Sequence, residues 1–273
     1  METTSIKIIL GSILVSVLFF LALFAGQLAP YNPLAVDISE GLHTPSAAHW
    51  FGQDKLGRDI LSRVIYGSRI SLSVGLVTVA VSLLIGSLLG AVSGWFGGII
   101  DHLIMRLVDI LMAFPGILLA IGIMAVLGPS LQNVVLALCF QGWVGYARLV
   151  RGEVLAIKEE DFILAAKAQG AGANRIIFRH IFPNIMAPLI VQGTFGIAGA
   201  ILAEAGLSFL GLGVQPPAPS WGAMLSEGCK YLLVAPHLSI FPGIAIMMIV
   251  LGVNFLGDGL HDSQLTRSIH KLG

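Results

Sequence analysis

The sequence predicts an all-α, polytopic membrane protein, and three observations carry that reading. Of its 273 residues, 56% are hydrophobic and only 11% charged, about half the charged share of an ordinary soluble domain. Five runs contain no Asp, Glu, Lys or Arg at all: residues 8–36, 70–100, 110–147, 180–203 and 231–257. Each is long enough for a bilayer-crossing helix, which needs about 20 predominantly apolar residues. The runs are rich in Leu, Ile, Ala and Gly without strand-like alternation, so the closed barrel, the other way to satisfy backbone groups in lipid, is excluded.

Taken in order, the first span covers about residues 8–29. Lys7 precedes it as in a signal peptide, but the apolar stretch exceeds a typical signal core and no Ala-x-Ala site follows, which makes it an uncleaved anchor. A polar connection follows from Pro30 to Arg69, opened by Pro30 and Pro33, which bar helix continuation. Within it Ile60, Leu61, Val64 and Ile65 fall at helical spacing, predicting a short amphipathic interfacial helix before the second span at 70–95. The run 110–147 is too long for one crossing and is broken by Gly128-Pro129-Ser130, giving spans at 104–127 and 131–150. The last two spans are placed at 185–207 and 239–258, six in all. Between them lies a second outer loop, 208–238, dense in Gly and Pro, where Trp221 and Tyr231 suit an interfacial belt.

Orientation follows from the cations. A cytoplasmic N-terminus puts Lys7, Arg106, Arg148, Arg151, Lys158, Lys167, Arg175, Arg179, Arg267 and Lys271 inside and leaves Lys55, Arg58, Arg63, Arg69 and Lys230 outside. Both termini are then cytoplasmic. A formal net charge of zero gives no bulk electrostatic case for nucleic acid. Cys139 falls in a span and Cys229 in a loop, so neither a structural disulfide nor a cysteine metal site is expected.

The most organised polar segment is DFILAAKAQGAGANRIIFRHIFPNIMAP, Asp161 to Pro188. Residues 153–169 are helix-compatible, with Phe162, Ala165, Ala166 and Gln169 at three- and four-residue spacing. Gly170 and Gly172 supply the residues that end such a helix. Asn174 suits an N-cap for a second short helix, Arg175 to Phe182. Pro183 and Pro188 then mark re-entry into the membrane. A helix, a glycine turn and a helix projecting from the bilayer form a docking element; the plain alternative is an ordinary connection between spans.

Three charges sit within or beside spans, where they cost roughly 2.5–3.5 kcal/mol on insertion scales unless satisfied. Arg106 and Asp109 stand three apart on one helical face and can pair inside the bundle or touch substrate. Glu204, near the outer end of the fifth span, can face the permeation path or hold the Gly-rich loop. The stretch from His49 to Arg69, with Asp54, Gly57, Arg58, Asp59, Arg63 and Arg69, either braces the outer gate or receives a partner, or else anchors an interfacial helix at lipid headgroups. The seven histidines, at 43, 49, 102, 180, 237, 261 and 270, are scattered, and neither H-E-x-x-H nor C-x-x-C occurs.

The segment Leu164-Ala165-Ala166-Lys167-Ala168-Gln169-Gly170 with Phe182-Pro183 resembles the loop shared by membrane subunits of bacterial ABC importers, Glu-Ala-Ala, three residues, Gly, nine residues, Ile-x-Leu-Pro. Leu164 stands where that pattern has Glu, His180 where it has Ile, and Phe182 where it has Leu. His49-Trp50-Phe51-Gly52, Asp54, Gly57-Arg58-Asp59, Ser62-Arg63, Arg69, Ala113-Phe114-Pro115, the string Glu204 to Gly213 and Trp221-Gly222 look like the second permease of dipeptide, oligopeptide and nickel importers. The resemblance implies a type I permease with a cytoplasmic coupling helix. It divides the chain into 1–69 (first helix and extracytoplasmic loop), a core at 70–262 with coupling loop 151–184, and a tail at 263–273.

It further implies a second permease forming a heterodimer, two cytoplasmic ATPases that bind ATP and Mg, an extracytoplasmic solute-binding protein and a place in the bacterial inner membrane. This subunit itself would be non-catalytic and hold no cofactor; it has no G-x-x-x-x-G-K-[S/T] phosphate loop. Phe162, Leu164, Ala165, Ala166, Gly170, Asn174, Arg175, Arg179 and Pro183 would carry ATPase coupling, the two arginines either pairing acidic partners or serving positive-inside retention. Cargo would be di- or oligopeptides, with nickel or another small solute as the alternative. A self-sufficient secondary transporter would show internal repeats, and none is evident.

Overall fold

The computed structural model describes the backbone of residues 2–270 and the side chains of residues 4–263; Lys271 and the Arg267 side chain lie outside that description. The helices are α1 (Glu2–Leu23), α2 (Ala25–Leu28), α3 (Ile60–Phe96), α4 (Gly98–Met112), α5 (Gly116–Leu127), α6 (Leu131–Ile157), α7 (Asp161–Ala168), α8 (Ala173–Ile176), α9 (Phe182–Phe209), α10 (Trp221–Cys229) and α11 (His237–His270). Among the described residues five stretches are long and apolar enough to span a bilayer, and α4 with α5 forms a sixth, bent by 87°. α11 continues to His270, through most of the segment assigned to a tail.

The predicted amphipathic helix is not a separate element. Asp59 caps the N-terminus of α3, accepting from the Ser62 amide, and the helix then runs 37 residues without a break. At 1.5 Å per residue it is about 55 Å long, well beyond a hydrocarbon core of about 30 Å. The third span departs from expectation too. It is cut at Ala113–Pro115, because Pro115 lacks an amide hydrogen and biases Phe114 away from helical geometry. The break at Gly128-Pro129-Ser130 lies where the sequence puts it. Ser130 caps α6 by accepting from the Asn133 amide, and the Asn133 carboxamide donates back to the Leu127 and Gly128 carbonyls.

A row of glycines decides how the bundle closes. A Cβ at Gly86 would lie 2.4 Å from the Trp143 carbonyl oxygen, one at Gly90 2.4 Å from that of Ala147, and one at Gly94 3.0 Å from that of Arg151. Residues four apart on α3 thus meet residues four apart on α6 with both numbers rising, so the two helices run parallel at backbone contact, the close approach small residues permit in membranes. Parallel neighbours require α4 and α5 together to carry the chain back across. By the same reading α1 and α11 are antiparallel: Gly11 abuts Gly252 and Leu256, Gly259 abuts Ile8, and Lys7 pairs with Asp262 at 2.9 Å. α9 packs antiparallel on α3, with Gly75 against Ile201 and Gly193 near Leu83.

The fifth span is longer than predicted. From Ala173 to Phe209 it forms one 37-residue stretch, because the proposed second coupling helix joins α9 through a wide π turn, Ile177–Ile181. That turn directly precedes Pro183, whose missing N–H would break an ordinary ladder, and such local widening is how a helix accommodates the defect. Asn174 lies inside α8 rather than capping it; the cap position is Gly172, with no side-chain bond.

Candidate functional site

Two polar assemblies sit at opposite ends of the bundle. The first is α7–α8, at the end where α3 and α6 finish. α7 closes with Gly170 at φ +79 and the Ala171 amide donating to the Ala166 carbonyl at 3.1 Å, the six-to-one bond of a glycine-terminated helix. Gly172, at φ −71, needs no left-handed geometry. The helix predicted over 153–169 is interrupted at Lys158–Glu160, between α6 and α7.

Ile163, Ile176, Ile177 and Ile181 are buried with Ala91, Val150 and Val154, which pins the segment to the ends of α3 and α6. Ala166 packs half-buried against the same cluster. The opposite face is open: Phe162 is 44% exposed, Leu164 45% and Phe178 61%, with Ala165, Gly170, Asn174, Arg175, Arg179 and Pro183 also exposed. A cation clamp ties this loop to α3. The Lys167 ammonium lies 5.0 Å from the Trp95 ring centre and that of Lys158 5.9 Å, and Lys158 also donates to the Trp95 carbonyl at 2.9 Å.

Nearby charges pair differently from the sequence expectation. Asp109 binds Arg148 of α6 at 2.7 Å, not Arg106, and both partners are more than half exposed. Arg106 is exposed as well. Because α4 packs on α6, Arg148 of α6 offers Asp109 a closer cation than Arg106, one turn back on α4. One turn along, Arg151 makes a two-pronged bond to Asp101, 2.5 and 2.7 Å, and Ser93 adds its hydroxyl to the same carboxylate. The sequence reading missed this pair, since nothing local relates positions 101 and 151.

The second assembly joins the loop before α3 to α10. Asp54 accepts from the Leu56 and Arg58 amides at 2.8 and 3.1 Å, pairs with Arg58 Nε at 2.6 Å and lies 3.5 Å from Arg63 Nε. Arg63 also donates to the Pro33 carbonyl. Glu227 of α10 lies 3.6 Å from Arg58 and 2.8 Å from Lys55, whose ammonium it pushes above the ordinary lysine pKa by hydrogen bonding and by its charge. Asp59 binds His49 at 2.9 Å through its other oxygen. Gly57 sits at φ +72 with the Asp37 carbonyl where a Cβ would be, so only glycine fits. Arg58 and Arg63 are both 4% exposed, which overturns the headgroup-anchor reading. Arg69 instead caps the end of α1, donating to the Ala22 and Leu23 carbonyls.

Trp221 is likewise no interfacial anchor. It is 1% exposed, its ring lies on Gly67 and its indole N–H donates to the Val64 carbonyl at 2.9 Å. Glu204 is fully buried and accepts from Ser208, one turn on in α9, at 2.7 Å.

Between the assemblies, α3, α5, α6 and α9 line a partly open cavity of about 330 Å³, with Thr78, Ser82, Gln141, Tyr146 and Gln192 as the polar residues of its wall.

Comparison with known proteins agrees with this architecture. Residues 84–268 match the family model described as binding-protein-dependent transport system inner membrane component. The chain is 49% identical over 255 residues to the dipeptide transport system permease protein DppC of Alkalihalophilus pseudofirmus, covering 93% of this chain and 84% of the relative. It is 45% identical over 257 residues to the glutathione transport system permease protein GsiD of Pectobacterium atrosepticum, with the same coverages. Among solved structures, an inward-facing conformation of the MetNI methionine ABC transporter superposes with a TM-score of 0.61 at 19% identity, over 77% of this chain and 97% of the other, a likeness of fold. Sequence match and helical architecture together place the chain in the family of binding-protein-dependent transport system inner membrane components, multi-pass permease subunits of ABC importers.

Proposed function

We propose that this chain forms one half of the membrane pathway of an ATP-driven importer for di- or oligopeptides in a bacterial inner membrane. A second permease completes the pathway, a solute-binding protein delivers cargo from outside, and two ATPases dock on α7–α8 inside. Both termini are then cytoplasmic, and the subunit hydrolyses nothing itself. The observation that carries the docking is the exposed apolar trio Phe162, Leu164 and Phe178 on a segment whose other face is buried in the bundle. Surface of that kind, ringed by Arg175 and Arg179, suits a protein groove with an acidic rim. The peptide assignment rests on the dipeptide and glutathione relatives, whose named cargoes share the peptide bond.

Closure of the ATPases would pull α7, and the Trp95 clamp and the buried isoleucines would pass that pull to α3 and α6 as a rigid-body rotation. Leu164 supplies apolar contact where the related loop has a carboxylate. The test is binding of the purified complex to its ATPases. Phe162→Ala with Phe178→Ala should weaken binding roughly 30-fold or more, the effect of losing about 2 kcal/mol at an aromatic hot spot. Unchanged binding refutes the docking. Uptake of the dipeptide Ala-Phe, measured beside Ni²⁺ in proteoliposomes holding all subunits, tests the cargo.

A further inference from the structure

α4 is a short rod set between two hinges. At its start Gly97 and Gly98 stand in succession in left-handed backbone, φ +65 and +55, and a Cβ on either would meet nothing within 4 Å. At its end the helix stops at Met112, Pro115 follows, and α5 leaves at 87°. Unobstructed glycines and a break at proline are where a chain absorbs large backbone rotations.

Its attachment to α6 is uneven along its length. Val108 and Leu111 form the buried apolar contact, against Trp143, Val144 and Ala147. Beside the glycine hinge, Asp101 is gripped by both prongs of Arg151 and by the Ser93 hydroxyl of α3, a bidentate arrangement of the strong kind. Eight residues on, Asp109 is held by Arg148 through one bond of 2.7 Å, between side chains 59% and 52% exposed, and exposed pairs of this kind are weak. Asp109 also has a second cation at hand. Arg106 is exposed three residues back on the same helix, a spacing at which side chains meet. The firm end is thus a pivot, and the loose end is a latch with two positions.

The far end of α4 is coupled to the membrane cavity. Phe114, in the second hinge, accepts from the Gln141 carboxamide at 3.3 Å. Gly116 and Ile117, in the first turn of α5, line the cavity, and a Cβ on Gly116 would lie 2.7 Å from Gln141 Oε1. A rotation of α4 on its pivot carries that turn along the cavity wall.

We propose that α4 is a swinging strap: it turns on Gly97 and Gly98, hands Asp109 from Arg148 to Arg106, and shifts the first turn of α5 to change the width of the cavity. α3 and α6, fixed to one another through Gly86 and Gly90, are the frame it moves against. Two discrete pairings of one carboxylate make the motion a switch and not a continuous bend. The inference goes beyond the importer reading and rests on it only for the ATPases that drive the swing.

Electron-spin distance measurements on the whole complex, otherwise free of cysteine, test it. One label pair joins α4 to α6 through Ile110→Cys and Leu155→Cys, and a control pair joins α3 to α6 through Leu84→Cys and Leu155→Cys; all three native side chains are exposed. Between the nucleotide-free complex and the complex trapped with ATP and vanadate, the first distance should change by about 5 Å, on the scale of one helical turn. The control should change by less than half as much. Arg148→Gln should raise the swung fraction without nucleotide about threefold, and Arg106→Gln should lower it with ATP about threefold, the size of an exposed pair. A pair with a merely structural role would give no such opposition. Leu103→Cys, also exposed, replaces Ile110→Cys if that variant fails to assemble. An unchanged distance from α4 to α6, or equal changes in both pairs, overturns the strap, while ATP-driven uptake of Ala-Phe by the same complex leaves the importer reading intact. A wild-type complex without ATP-driven uptake overturns the importer reading and the strap with it.

Discussion

Asp54→Asn should loosen the outer loop far more than one lost charge on a surface would. The aspartate serves two backbone amides through one oxygen and two guanidiniums through the other, at 2.6 Å to Arg58 and 3.5 Å to Arg63. Asparagine can keep the backbone bonds, but it turns an NH₂ group toward two arginines that are each 4% exposed. Breaking a buried pair by removing one partner costs about 3–5 kcal/mol. Glu227 still lies 3.6 Å from Arg58, and Pro33 still accepts from Arg63, which puts the cost near the lower end. A local loss of about 3 kcal/mol is roughly a hundredfold in the opening equilibrium, at about 1.4 kcal/mol per tenfold. Hydrogen exchange reads this directly. The amides of Leu42, Asp54, Gly57 and Ile60, which close the loop on itself, should exchange about a hundredfold faster while those of α6 keep their protection. Acceleration below threefold would refute the assignment of Asp54 as the keystone of a buried ion network.

Two further variants probe the bundle. Gly90→Leu drives a side chain into the Ala147 backbone, with Cβ only 2.4 Å from its carbonyl oxygen; it should cost about 3 kcal/mol or more and lower the thermal midpoint in detergent, whereas Gly145→Ala, with nothing within 4 Å, should not. A double-mutant cycle between Asp109→Asn and Arg148→Gln should give a small coupling of about 0.2–1 kcal/mol, as for exposed pairs, and the cycle of Asp109→Asn with Arg106→Gln should give none. The reverse result would restore the pairing along α4.

The site was partly legible in advance, and particular residues show where legibility ended. Gly170 announced the end of α7 because a left-handed residue after an alanine-rich helix is a local event. Gly128-Pro129-Ser130 announced its turn for the same kind of reason. Pro115 carried an equally local signal, yet an apolar stretch on either side made one straight span look sufficient. For Arg58 and Arg63 a lipid interface stands as one of two readings, and for Trp221 as the main one, because composition alone assigns Arg and Trp there. Their burial depends on a carboxylate and a glycine brought from elsewhere in the fold.

The sequence by itself determined that this is a helical membrane protein, where its apolar runs lie, and that a helix, a glycine turn and a second helix project between two of them. Those properties are set by hydropathy summed over about 20 residues and by backbone preferences acting over four or five. Tertiary structure alone decided that α3 and α6 run parallel at backbone contact, that α4 and α5 meet at 87°, that Asp101 finds Arg151 and Asp109 finds Arg148, and that the Ser82 hydroxyl is shut against Gly142 of α6 without a partner. Each depends on the register of one helix against another. Register is fixed by contacts between residues dozens of positions apart, which no local pattern encodes.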